Sequence, residues 1–152
     1  MDGQQAIRAV GCAVALAFLG VLYTFYDLPL LIASFGSTAI TLFALPKAPA
    51  AKPYNTVVGQ FSAAIIGWLS QFALGTTWYA CAVAVTVSML VMVVLNCVHP
   101  PGGATALTAV LTPQDWTFVF APILVGVLFL VAVAYVTNKA CDKVADNGKV
   151  NG

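Results

Sequence analysis

Gly36-Ser37-Thr38-Ala39-Ile40-Thr41 returns 67 residues later as Gly103-Ala104-Thr105-Ala106-Leu107-Thr108. Each copy of this Gly-x-Thr-Ala-x-Thr pattern sits in an apolar stretch that is interrupted just ahead of it. The first interruption is Ser34-Phe35-Gly36 and the second is His99-Pro100-Pro101-Gly102-Gly103. The second is severe. Two prolines remove two backbone donors and stop a helix that runs into them, while two glycines permit close approach and unusual backbone angles. Interrupted apolar segments at corresponding places in two halves of a membrane protein point to a substrate site.

Composition places the chain in the membrane. It is 61% hydrophobic and 7% charged, has no Glu, and has a mean hydropathy of +0.97; globular proteins carry about 25% charged residues. The expectation is one all-α transmembrane domain over 1–152, with the lipid bilayer as its surroundings. A net charge of +1 gives no ground for a nucleic-acid partner. Cys12, Cys81, Cys97 and Cys141 are scattered without C-x-x-C spacing, so they read as small hydrophobes and not as a disulfide or redox set. The lone His99 has no second imidazole to share a metal, and no cofactor is implied. The apolar run 9–25 is longer than the roughly 7–15 residues of a signal-peptide core and reads as an uncleaved span. No Arg- and Ser-rich organellar leader is visible.

Four segments are long enough to cross a bilayer core, which takes roughly 17–25 residues: 7–25, 56–74, 78–98 and 118–138. Between the first two lies the broken segment 28–45, and between the last two the short 99–112. The order of span, broken segment and span thus occurs twice. This predicts a helical bundle of two repeats, about 1–75 and 76–138, with a polar tail over 139–152. Extended residues 99–103 followed by helical residues 104–112 reach roughly 30 Å, enough for a crossing. Six crossings invert the repeats and put Arg8, Lys47, Lys52, Lys139, Lys143 and Lys149 on one side, with Asp27 and Asp115 on the other. That is the positive-inside pattern, with both termini cytoplasmic. Four crossings with re-entrant broken segments put the Lys47/Lys52 loop opposite the termini, so the inverted six-crossing arrangement fits better. Gly59, Ala63 and Gly67, and likewise Ala80, Ala84 and Ser88, form small-residue stripes that let helices approach closely.

The chemistry suggested by the breaks is anion binding. A helix restarting at 104–112 presents unpaired N–H groups and about half a positive charge, flanked by the Thr105 and Thr108 hydroxyls. That combination suits a small anion. Ser34, Ser37 and Thr38 around Gly36 supply a matching end, and inversion makes the two half-helix N-termini meet near the midplane. The alternative is that both breaks are packing corners whose hydroxyls bond to their own backbone. His99 has three readings: a donor to the anion, a proton carrier, or a pin for the turn. Asn96 is placed to orient it, while Asn55 and Gln60 open the crossing beside Lys52; Gln71 is a further polar residue within that crossing. The candidate substrate-binding set is His99, Pro100, Pro101, Gly102, Gly103, Ala104, Thr105, Ser34, Gly36, Ser37, Thr38, Asn55 and Gln60. Without a mid-membrane carboxylate a cation site is disfavoured. Without a convergent nucleophile, base or metal set an enzyme is disfavoured as well.

The string His99-Pro100-Pro101-Gly102-Gly103-Ala104-Thr105-Ala106-Leu107, the upstream Ser34-Phe35-Gly36-Ser37-Thr38-Ala39, and Pro53-Tyr54-Asn55 followed by Gly59 resemble the HPP family of small integral membrane proteins. The resemblance covers roughly 10–138. It implies a bacterial plasma-membrane or plastid inner-envelope protein, usually described with four transmembrane segments, and some members are similar to nitrite transporters. The family's name motif falls on His99, Pro100 and Pro101, and a second patch on 34–38 and Asn55. The sequence departs from the family pattern at Tyr54 and Gln60, where an Arg and a His are common. The leading functional expectation is a transporter or channel for a small monovalent anion, nitrite first, with a homo-oligomer allowed for. The competing one is a non-transporting accessory membrane subunit.

Overall fold

The structure, a computed structural model, describes residues 3–26, 33–113 and 115–150. Residues 27–32, with Asp27 of the charge pattern, lie outside the described residues, as do Asp2 and the side chains of Tyr26 and 146–150. Among the described residues there are six α-helices and no strand: α1 (Gly3–Tyr26), α2 (Ala33–Ala44), α3 (Pro53–Leu74), α4 (Trp78–Val94), α5 (Pro101–Leu111) and α6 (Val125–Val150). A single 3-10 turn, Pro49–Ala51, links α2 to α3, and another, Trp116–Val119, leads through a wide turn at Phe120–Leu124 into α6. Local chemistry sets the boundaries. Pro53 and Pro101 occupy first-turn positions, where a missing N–H costs nothing. The Thr77 hydroxyl accepts from the Ala80 N–H to start α4. Gly75, at φ +70°, closes α3 in a conformation that disfavours a side chain.

Among the described residues, three stretches are long and apolar enough to cross a membrane: Gly3–Phe25, Pro53–Leu74 and Trp116–Ala145. At 1.5 Å per residue, α2 with 12 residues and α5 with 11 fall short of a core about 30 Å thick. These two short helices sit inside the bundle, α5 on α3 and α4, α2 on α1 and α6, and each on the other.

Glycines determine how close the helices come. A Cβ at Gly67 would stand 2.7 Å from the Ala106 carbonyl, and one at Gly59 would stand 2.8 Å from His99 Cβ and 2.9 Å from the Cys97 carbonyl. Gly102 in turn packs over the Gly59 carbonyl. The Gly59–Ala63–Gly67 stripe is therefore buried beneath α5 and the link before it, and α3 and α5 run parallel. A similar seam joins α2 and α6. The Phe35 ring fills the space over Gly126, and Asn138 Nδ2 donates to the Leu42 carbonyl at 3.3 Å, so α2 and α6 also run parallel. Gly102 and Gly126 lie 67 residues beyond Phe35 and Gly59, the spacing of the two hexapeptides. α1 runs antiparallel to α6: Arg8 Nε donates to Asn138 Oδ1 at 3.1 Å, and Phe18 stacks on Phe129 with centroids 4.9 Å apart. Arg8, Lys47, Pro53 and Asp142 line one cavity, so the start of α1, the α2–α3 link, the start of α3 and the far part of α6 share one end of the bundle. Trp78 and Trp116 are exposed at the opposite end.

Three expectations need correction. α2 is continuous from Ala33 through Gly36, so no helix break falls at Ser34-Phe35-Gly36. Two of the hydroxyls there are absorbed by the helix itself: Ser37 Oγ donates to the Ser34 carbonyl and Thr41 Oγ1 to that of Ser37. Residues 99–103 are not all extended, because α5 begins at Pro101 and takes in Gly102 and Gly103. The span expected at 78–98 ends at Val94 and has 17 residues. The polar tail expected after 138 is helical as far as Val150, as a continuation of α6, which does not conflict with the expectation.

Candidate functional site

Four fully buried polar side chains from different parts of the fold meet in an otherwise apolar interior: Thr38 on α2, Gln60 on α3, His99 on the α4–α5 link and Thr105 on α5. Each is brought there by packing already described. The absent side chain at Gly59 lets the 97–99 backbone lie against α3, which places His99 one residue from Gln60 along that helix. Thr38 and Thr105 are the equivalent threonines of the two hexapeptides, and Gln60 lies between them.

The hydrogen bonds run in one direction. Thr105 Oγ1 donates to Gln60 Oε1, and Gln60 Nε2 donates to Thr38 Oγ1 at 2.6 Å. Thr38 Oγ1 lies 3.2 Å from His99 Nε2, and His99 Nδ1 lies 2.8 Å from the Ala50 carbonyl. A carbonyl can only accept, so Nδ1 carries the proton and Nε2 accepts from Thr38. The chain of donors thus ends on Ala50, whose second lone pair takes Thr56 Oγ1 at 3.2 Å. Asn55 Nδ2 donates to the neighbouring Pro49 carbonyl at 3.0 Å. Three side chains therefore hold the Pro49–Ala51 turn, and the turn holds the imidazole. An unpaired polar group here would cost about 1–3 kcal/mol.

The structure divides the sequence-predicted set. Thr38, Gln60, His99 and Thr105 form the network, with Asn55 one step removed. Ser34 is buried with an unpartnered hydroxyl beside it on α2, while Ser37 is exposed and Gly36 has open space where a Cβ would be. Pro101 and Gly102 are buried in the seam, Ala104 is half-buried and Pro100 is exposed. Gly103 does not touch the network. Together with His99, Pro100 and Ser88 it lines a mostly apolar cleft of about 260 Å³ between α4 and α5. Ser88 Oγ is buried and unpartnered. Asn96 is exposed, at φ +50°, and does not orient His99; the Ala50 carbonyl does.

The anion site expected on free N–H groups at 103–105 is not built that way. Pro100 and Pro101 have no N–H to offer. Gly102 donates to the His99 carbonyl at 2.9 Å and Gly103 to the Pro100 carbonyl at 3.0 Å. The start of α5 is thus closed by its own turn, and the polar chemistry has moved to second-turn side chains. Sequence reasoning missed Ala50 and Thr56. A backbone carbonyl leaves no mark in sequence, although Thr56 one residue after Asn55 was an available signal. At the opposite end, Asp115 Oδ1 accepts from the Thr117 hydroxyl and N–H, which holds its carboxyl below the usual carboxylate range.

Comparison with known proteins places these observations. The family described as "HPP, transmembrane region" matches residues 3–145. A transmembrane protein of Dictyostelium discoideum is 40% identical over 125 residues, covering 77% of this chain and 44% of the relative. A second Dictyostelium transmembrane protein is 36% identical over 121 residues, covering 74% of this chain and 39% of its own length. The chain therefore spans less than half the length of either relative. No solved structure matches it.

Proposed function

The chain belongs to the HPP family of transmembrane proteins, and from that premise we propose that it is a transporter or channel for a small monovalent anion, with nitrite the first species to test. The observation that carries this reading is the Thr38–Gln60–His99–Thr105 network. Polar side chains buried in a membrane bundle are expensive and mark function by default. This set offers hydroxyl and amide donors without a carboxylate, and His99 Nε2 joins them when the ring takes up a second proton, which suits an acceptor-rich anion and not a cation. The Thr38 and Thr105 hydroxyls can turn their protons toward an ion and return to His99 Nε2 and Gln60 Oε1 when it leaves. The cleft beside His99 and Ser88 supplies an approach from one side.

The fold reading that accompanies this is an inverted pair, α1–α3 and α4–α6, related by a pseudo-two-fold axis in the membrane plane. In its support, Phe35 over Gly126 and Gly102 over Gly59 are the same contact displaced by 67 residues, and Thr38 and Thr105 flank one glutamine. The lysine-bearing end then faces the cytoplasm or stroma, in a bacterial plasma membrane or a plastid inner envelope.

Flux of nitrite, nitrate, formate and chloride into proteoliposomes holding only this protein tests the proposal. Wild type should pass nitrite, and Thr105→Val and Gln60→Leu should lose that flux while still inserting. One observation favours an accessory membrane subunit instead: every member of the network already has a partner, as in a structural lock. Absence of flux for all four anions from correctly inserted protein would decide for that reading.

A further inference from the structure

The end of the bundle that carries Arg8 and Lys47 holds two connected hollows that the polar network does not use. One, of about 240 Å³, is bounded by Arg8, Lys47, Tyr135, Asn138 and Asp142. The other, of about 420 Å³, runs from Arg8 along the outside of α1 and α2 past Ala9, Cys12, Ile40, Phe43 and Ala44. Arg8 belongs to both. Its guanidinium is half-buried and, among the described residues, is held by Asn138, which is fixed in turn on the Leu42 carbonyl. Beyond the Nε used for Asn138, a guanidinium fork carries further donors suited to a phosphate.

We propose that these two hollows form one binding site for an anionic phospholipid. The phosphate sits between Arg8 and Lys47, and one acyl chain lies along the apolar groove of α1 and α2. Charge complementarity identifies the occupant. A groove lined by Ala9, Cys12, Ile40, Phe43 and Ala44 takes hydrocarbon, and its polar end carries two cations where a headgroup phosphate would fall. Basic pockets between helices on the positive side of a membrane bind anionic headgroups on this principle. Among the described residues, the charges facing the site are Arg8 on α1, Lys47 on the α2–α3 link and Asp142 on α6, and Asp142 is exposed at the rim, where it opposes the anion.

Three substitutions give effects of different sign or kind. Lys47 is exposed, so Lys47→Gln removes one cation without touching the core. Asp142→Asn removes the opposing charge. Ala44→Trp fills the groove and leaves both cations in place. The full chain is purified in neutral detergent, offered phosphatidylglycerol, phosphatidylcholine or inorganic phosphate, and lipid retention is read by native mass spectrometry. Wild type should retain phosphatidylglycerol in preference to phosphatidylcholine. Lys47→Gln and Arg8→Gln should each lower that retention by about fivefold, the worth of one basic residue near an anionic surface. Asp142→Asn should raise it, and Ala44→Trp should abolish it. Equal retention of the two lipids, or no change in Lys47→Gln, would overturn the site. Inorganic phosphate competing in full, with Ala44→Trp silent, would show a free-anion site and overturn the lipid assignment. Conversion of a dimer to a monomer by Ala44→Trp, with lipid unchanged, would make the groove a protein interface and overturn it too.

Discussion

Thr38 Oγ1 stands 3.2 Å from His99 Nε2, so one hydrogen bond joins a helix of the first half to the interhelical link of the second. Thr38 holds the middle of the network, accepting from Gln60 and donating to His99. Its equivalent, Thr105, reaches the same glutamine from the other side.

Thr38→Val removes both bonds at nearly constant shape and leaves Gln60 Nε2 and His99 Nε2 without partners. The expected cost is about 1–3 kcal/mol for each buried group left unpaired, read as a lowered unfolding midpoint in detergent. Thr38→Ser should restore most of it. Equal midpoints for the valine variant and wild type would mean that the network contributes nothing to the fold.

Glycine substitutions should separate packing from motif. Gly67→Ala presses a methyl against the Ala106 backbone at 2.7 Å, a neighbour that cannot swing aside, and should destabilise by about 1–3 kcal/mol. Gly103→Ala meets nothing nearer than Val85 Cγ1 at 4.0 Å. It should be tolerated, or stabilise by up to about 1 kcal/mol through helix propensity. A midpoint series over the two variants checks the order, and a reversed order would refute the α3–α5 seam.

Sidedness can be read by labelling. In a background with Cys12, Cys81, Cys97 and Cys141 replaced, Lys47→Cys and Lys143→Cys should react with an impermeant thiol reagent from one face. Thr76→Cys, in the α3–α4 turn, should react from the other. Positions 47 and 143 labelling from opposite faces would exclude the shared end that Arg8, Lys47 and Asp142 define.

Asp115 supplies a local pH dependence. Its folded pKa is depressed by the Thr117 hydrogen bonds, so the stabilisation is present above the unfolded carboxyl value of 3.8 and is lost as pH falls through the folded value. Hydrogen exchange of the Thr117 amide should be slow at neutral pH and accelerate, relative to neighbouring amides, in acid below that range. In Asp115→Ala the amide should be unprotected at every pH; protection that persists there would sink the cap.

Much of the architecture was legible in the chain. Apolar run lengths placed it in the membrane, and the Gly59–Ala63–Gly67 spacing identified the buried face of α3. The repeated hexapeptide picked out the two threonines that flank Gln60. The site itself was only half legible. Gly36 reads as a breaker beside serines, yet in an apolar bundle Ser37 bonds its own helix, Ser34 is buried without a partner, and α2 runs through. The two prolines read as exposing a helix start, yet because they carry no N–H they leave little there to expose, and the next two donors close on His99 and Pro100.

What the sequence by itself determined is what depends on composition and local spacing: membrane residence, the helices, the stop after α4 and the faces that must be small. Only the tertiary structure decided which partner each polar group takes. Nothing about Thr38 alone says that it bonds Gln60 and His99 while Thr41, three residues on, bonds its own helix. The physical reason is that a hydroxyl takes whichever acceptor its buried face meets. For the imidazole beyond Thr38 that acceptor is the Ala50 carbonyl, a backbone group every residue carries, and only the approach of the α2–α3 link to the α4–α5 link, past the bare backbone of Gly59, brings it within reach.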